Sequence, residues 1–331
     1  MHIPSLKPLT ALAATLVLVG CGGGGSSQSG GPIVVDPADA VRAEAARVTA
    51  NGNAACASSA IGPFYWEIGD GSRARAGGSV GSDAPTADTA MSIASASKWV
   101  YSAYVLQKAG RRDSDVPYLN FTSGYTEMLL PLCQVNDTVA SCLDGKDGLV
   151  PADVGRFLYG SGHMQTHATH VMGLGAMDNA ALTAEVQGAI GDFGFLYTQP
   201  QLAGGLVADA AGYAAFLRKI LRGELAIRGA LGASSVCTNP DTCSSAIGGP
   251  IPDNESWSYS LGHWVENDPA VGDGAFSSAG ALGFYPWIDR ARTYYGVLAR
   301  RATDAEANAG YHSAQCGRLI RQAWVTGVAV P

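Results

Sequence analysis

Lysine is scarce in this 331-residue chain, which has five: Lys7, Lys98, Lys108, Lys146 and Lys219. Basic residues as a class are outnumbered, 21 Lys and Arg against 28 Asp and Glu, and no basic run interrupts the formal charge of −7. A nucleic-acid partner is therefore not expected, because a phosphate backbone is held by concentrated positive charge. Long apolar stretches are missing too. The most sustained one, residues 9–19, is shorter than the roughly 20 residues that cross a bilayer as a helix. There is no P-loop, no dinucleotide-binding fingerprint and no calcium loop. The zinc-protease pattern His-Glu-x-x-His is absent as well, since Met164 stands where its glutamate belongs. No cofactor is expected, and no repeat at solenoid periods occurs.

What the chain does have begins at its N-terminus. Lys7 precedes the apolar residues 9–19, which have the shape of a signal-peptide core. Leu18-Val19-Gly20-Cys21 resembles the bacterial lipoprotein box, which implies cleavage before Cys21 and lipidation of its sulfur; an ordinary secretory signal with an incidental cysteine is the alternative. The Gly/Ser-rich residues 21–35 read as a flexible tether. These features predict a signal peptide over 1–20, a tether over 21–35, a membrane attachment through Cys21, and a folded domain over 36–331 in a bacterial cell envelope. At 47% hydrophobic residues over its full length, the chain can build a domain with a substantial core.

Without Cys21, six cysteines remain, an even set suited to an oxidising compartment. Cys133 and Cys142 are close in sequence, as are Cys237 and Cys243 around the turn-forming Asn239-Pro240-Asp241. These two bridges are expected, with Cys56–Cys316 by elimination, although six cysteines allow fifteen pairings.

Residues 36–49 have helical periodicity, with Val41, Ala45 and Val48 on the inward side. Residues 64–68 read as a strand leading into the turn Gly69-Asp70-Gly71. Residues 209–221 are helical, with Tyr213, Phe216, Leu217 and Ile220 inward and Gly223 as the stop. Strand-like composition covers 257–266, 281–288 and 293–299, and a helix closes the chain over 311–325. Strands at both ends with helices between predict an α/β sandwich of the α+β type. Its mostly antiparallel sheet is flanked by helices and carries an inserted helical region.

Lys98 is the single lysine with a serine three positions before it, Ser95-Ala96-Ser97-Lys98. Trp99, Ala103 and Leu106 follow at helical spacing, so Ser95 sits at a helix start with Lys98 over the same side. A serine hydroxyl is a weak nucleophile until a base takes its proton, and an amine can do so. First-turn amides favour the negative charge that would develop beside Ser95. A helix cap followed by a solvated lysine is the plainer reading of the same residues.

Tyr159-Gly160-Ser161-Gly162 suits a tight loop that pushes a phenol into a cleft, where it could shuttle protons; the plainer reading is a core tyrosine. Small residues at Ser277-Ser278-Ala279-Gly280-Ala281 let a substrate lie against backbone amides. His163, His167 and His170 share one face if helical and could form a zinc site, with packing or surface histidines as the expected reading and no metal predicted. Gly77-Gly78-Ser79-Val80-Gly81 matches Gly-x-Ser-x-Gly but lacks the buried strand before it, so Ser79 is read as turn sequence.

Taken in order, these pieces resemble the serine β-lactamase and penicillin-binding-protein family, especially its class C β-lactamase, DD-peptidase and family VIII esterase branch. Ser95-Ala96-Ser97-Lys98 is similar to its first motif, and Phe121-Thr122-Ser123-Gly124-Tyr125 to its His-Thr-Ser-Gly-Leu stretch. Tyr159-Gly160-Ser161 resembles Tyr-x-Asn, and Ala203-Gly204-Gly205-Leu206 resembles Ala-Gly-Gly-Leu. Ser278-Ala279-Gly280 lies where that family has Lys-Thr-Gly or His-x-Gly. The resemblance implies an acylated Ser95, proton transfers by Lys98 and Tyr159, and an oxyanion held by the amides of Ser95 and Ala281. It places Ser161, Ser278, Ala279 and Gly280 against the substrate.

Two departures bear on specificity. Ser161 replaces an asparagine that would hydrogen-bond an amide. Ser278 replaces a cation that would hold a substrate carboxylate, unless Arg290 or Arg292 compensates. The expectation is a serine acyl hydrolase for small esters or uncharged amides, with a β-lactamase or D-Ala-D-Ala carboxypeptidase as the alternative. A non-catalytic, envelope-anchored binding protein is the alternative from another class.

Overall fold

The computed structural model describes residues 37–129, 133–302 and 308–331. The expected signal peptide, tether and lipidated Cys21 lie outside the described residues. Asp36–Pro331 forms one compact unit.

Eight strands make the main sheet: β1 (Phe64–Asp70), β2 (Ala74–Val80), β3 (Val236–Cys237), β4 (Ser258–Ser260), β5 (His263–Val265), β6 (Phe276–Ser277), β7 (Tyr285–Ile288) and β8 (Tyr294–Arg300). Their spatial order is β2-β1-β8-β7-β6-β5-β4-β3, with every neighbouring pair antiparallel. β1 lies beside β8, so the two ends of the domain meet as neighbouring strands of one sheet. The longer helices are α1 (Pro37–Gly52), α2 (Ser97–Ala109), α3 (Asn179–Ile190), α4 (Ala210–Leu221) and α5 (Ala309–Thr326). Helices α2 to α4 come between β2 and β3 and form the expected inserted region.

Strand alternation places helices on both faces of the sheet. Tyr294 packs edge-on against Trp324 of α5, at 5.5 Å between ring centres. The next residue, Tyr295, points the other way and accepts a hydrogen bond from Arg218 of α4 at 2.7 Å. Gly296 then leaves room for the indole of its cross-strand partner, because a Cβ there would lie 2.3 Å from Trp287.

Three sequence expectations are corrected. Val41 and Val48 are 59% and 40% exposed, and the buried stripe of α1 is Ala45, Ala46, Thr49 and Ala50. Small residues are needed on that side because α1 packs closely on α5 and β2. Ser79 lies inside strand β2, opposite Tyr65, and is not turn sequence. Residues 281–283 form a turn closed by the Gly283 amide on the Gly280 carbonyl, so strand β7 begins only at Tyr285. Gly283, at φ +92°, adopts a conformation that side chains other than glycine rarely take.

The three disulfides Cys56–Cys316, Cys133–Cys142 and Cys237–Cys243 are formed. The first joins residues 260 apart in sequence, against 9 and 6 for the others. Loop-closure entropy grows with loop length, so this bond constrains the unfolded chain most. The double variant Cys56→Ala/Cys316→Ala is expected to lose about 2–5 kcal/mol of stability. Urea midpoints of the parent and the variant measure it, and coincident midpoints would contradict the expectation.

Candidate active site

Ser95 stands in a single 3-10 turn, Ala94–Ala96, that runs directly into α2. Ala94 before it is held at φ +43°, in the left-handed region that costs an alanine on the order of 1 kcal/mol. Neighbours hold the turn in place. Ser97 Oγ donates to the Ala94 carbonyl at 2.7 Å, and the Tyr213 hydroxyl of α4 donates to the Ala96 carbonyl at 2.9 Å. The Ser95 side is thereby turned away from the core, and Ser95 remains partly accessible.

One turn on, Lys98 is 3% exposed. Its Nζ donates to Ser95 Oγ at 2.9 Å and to the Ala203 carbonyl at 2.8 Å. That carbonyl is presented by Ala203-Gly204-Gly205-Leu206, where a Cβ on Gly205 would lie 2.1 Å from the Gln199 carbonyl, so this tight loop requires glycine. Burial strips water from the ammonium and lowers the Lys98 pKa to about 7. An amine with that pKa is substantially neutral in mildly alkaline solution and can accept a proton from the hydroxyl it touches.

Tyr159 completes the cluster. Its ring centre is 4.7 Å from Lys98 Nζ, and its phenol lies close enough to Ser95 and the Trp264 indole to feel both electrostatically. Burial raises the phenol above its ordinary range, while the neighbouring Ser95 and Trp264 pull it back. Trp264 of β5 stacks on Tyr159 at 5.3 Å and 17°, and Phe121 and Tyr259 pack around it. Trp264 was missed by the sequence reading because nothing distinguishes it there from an ordinary strand aromatic.

The segment after β6 closes the other side. Ser278 Oγ donates to the Ser95 carbonyl at 3.1 Å. A Cβ on Gly280 would lie 2.2 Å from the Ile93 carbonyl, so only glycine allows this segment so close to the Ser95 turn. Ala281 follows in the exposed turn. Among the described residues, neither the Ser95 nor the Ala281 amide donates to a protein acceptor. Both N–H groups are thereby left available to an acceptor from outside the chain.

Ser161 is buried, and its hydroxyl accepts from Gln201 Nε2 at 3.2 Å. Neither arginine considered for a compensating role meets Ser278. Arg292 donates to the Leu231 carbonyl at 3.0 Å and lies over Phe276, while Arg290 lines cavities with the 268–274 loop. The three histidines do not converge. His163 pairs with Ser123 Oγ and the Leu158 carbonyl, His167 with Tyr101 and Asp115, and His170 with Asp147. A π-helical turn, His167–Val171, breaks the common face expected of them.

No protein-family model matches the chain, and no curated protein does. Solved structures are similar to it. A D-amino acid amidase from Ochrobactrum anthropi aligns over 86% of this chain and 99% of its own, at 10% identity and a TM-score of 0.62. EstCE1, a hydrolase with promiscuous acyltransferase activity, aligns over 87% and 99%, at 13% identity and a TM-score of 0.58. A beta-lactamase from Mycobacterium bovis aligns over 80% and 96%, at 12% identity and a TM-score of 0.51. At such identities the likeness speaks for architecture: the chain has a β-lactamase-like fold, shared with these hydrolases.

Proposed function

We propose that this protein is a serine acyl hydrolase. It forms an acyl-enzyme on Ser95 and releases the acyl group to water. The observation that carries the reading is the 2.9 Å contact between Ser95 Oγ and a buried amine whose pKa has fallen to about 7. In this reading neutral Lys98 takes the hydroxyl proton as Ser95 Oγ bonds to the carbonyl carbon. The negative charge moves to the carbonyl oxygen beside the Ser95 and Ala281 amides; the adduct then collapses as the bond to the leaving group breaks, Tyr159 passing that group a proton and recovering one from Lys98. A water molecule, deprotonated by the same pair, then attacks the acyl carbon and regenerates Ser95. The similar structures include an amidase and a hydrolase with acyltransferase activity, which accords with acyl chemistry on this fold.

The substrate class follows from what surrounds Ser95. Ser278 offers a neutral hydroxyl already engaged with the main chain, and among the described residues no arginine hydrogen-bonds to it. A substrate carboxylate would find no ion pair there, which favours small esters or uncharged amides. Charge-assisted hydrogen bonds contribute about 1.5–3 kcal/mol, roughly ten- to hundredfold in affinity. A side-by-side panel tests this: p-nitrophenyl butyrate, a chromogenic cephalosporin, a D-Ala-D-Ala peptide and a neutral linear amide. The ester is expected to exceed the cephalosporin by at least about tenfold in kcat/KM. The reverse order would overturn the preference for uncharged substrates. Residues 7–21 and the Gly/Ser tract support placing the enzyme in a bacterial envelope, anchored by a lipid on Cys21. Intact-mass analysis of membrane-extracted protein, showing chain cleaved before Cys21 and carrying acyl groups, tests that placement.

A further inference from the structure

A concavity lies between α5 and the segments 270–273 and 289–291. It encloses about 820 Å³, within the range of small-molecule sites. Val271 and Val325 line it and are 48% and 49% exposed, and Leu319 adds to the apolar wall. Arg290 lines it as well, exposed, and among the described residues makes no hydrogen bond or ion pair.

The carboxylates of the cavity are already engaged. Glu255 receives Arg318 Nη2 at 2.8 Å, Tyr311 at 2.6 Å and the Trp257 indole at 2.8 Å. Asp273 receives Arg321 through two nitrogens at 2.6 and 3.0 Å. One oxygen of Asp289 takes the amides of Thr293 and Tyr294, each at 2.7 Å. Most of these acceptors are thus satisfied from within, Asp289 keeping one oxygen open, and among the described residues of the lining the Arg290 guanidinium alone is left over beside exposed aliphatic surface. A single free cation among bound carboxylates suits one negative charge and disfavours two.

We propose that this cleft binds an amphiphilic monoanion, a carboxylate head on an aliphatic body. The head meets Arg290, and the body lies against Val271, Leu319 and Val325. The site is separate from Ser95, so it stands or falls independently of the hydrolase reading.

Calorimetric titration of the full chain with octanoate tests it, with 1-octanol and acetate as partner probes. Octanoate is expected to bind saturably, one per chain, with octanol and acetate each at least about tenfold weaker. Arg290→Ala and Val325→Asp should each raise the octanoate Kd by about tenfold or more. Both side chains are exposed, so the variants should melt with the parent, and Val271→Asp replaces either one that does not. Ser95→Ala should bind as the parent does. Three results would overturn the proposal: no saturable heat, octanol equal to octanoate, or a Kd indifferent to the cleft variants. Loss of binding in Ser95→Ala would also overturn it, by placing the probe at the other site.

Discussion

Ser95→Ala is expected to lower ester turnover by about 10⁴- to 10⁶-fold and to abolish labelling by a fluorophosphonate. The effect is large because, among the described residues, no other hydroxyl accepts from Lys98 Nζ. Ser97, two residues on, spends its hydroxyl on the Ala94 carbonyl, and Ser278 spends its own on the Ser95 carbonyl. Mass mapping of labelled parent protein should place the adduct on Ser95, with a burst of p-nitrophenol preceding steady turnover if acyl release is slow. A labelled peptide lacking Ser95, or a variant that keeps full turnover, would sink the acyl-enzyme on this residue. The substitution removes one oxygen from a partly accessible position, so the fold should be unaffected.

Lys98→Met carries the second large effect, and it moves activity and stability in opposite directions. Removing the base should cost about 10²- to 10⁴-fold in kcat/KM. In the parent, activity should rise with pH through an inflection near 7, where the buried amine loses its proton. The variant should lack that rising limb. The stability effect follows from the same burial. The folded-state pKa, about 7, lies below the ordinary lysine value of 10.5, so across that window the unfolded chain binds more protons. Parent stability should therefore increase with pH between roughly 7 and 10.5, and the penalty of a buried charge is complete below that window. The apolar variant is free of that penalty. It should melt a few degrees higher at pH 6, with the advantage shrinking towards pH 10. Unchanged turnover in the variant would leave Lys98 a packing residue. A parent melting temperature that falls across the alkaline window would contradict the lowered pKa.

Much of this site was legible in the chain because its parts are local. Ser95 and Lys98 are three residues apart, so helix geometry alone puts them on one side. Gly205 and Gly280 announce close approaches by lacking a side chain, although the sequence does not say what approaches. The structure supplies the partners, the Gln199 and Ile93 carbonyls. Joining Tyr159 to Ser95 required a likeness to known motifs, since the two are 64 positions apart and no periodicity connects them. Trp264 and Gln201 were out of reach for a different reason: their roles depend on which loops meet, a property of the whole sheet and its inserted region. The antiparallel sheet was readable from aromatic and β-branched runs at both ends. The orientation of α1 was misread, because valines at helical spacing outweighed alanines that close packing on α5 in fact selects.

The Cys56–Cys316 bond has a mechanical consequence. Tension applied between the two ends of the domain would unzip α1 from the N-terminal side and the last turns of α5 from the other. It would then reach two sulfurs joined to each other, and the load would pass from one end to the other through that covalent link. The sheet, the Ser95 turn and the loop that presents Ala203 all lie inside the closed ring, shielded from pulling until a reductant opens it.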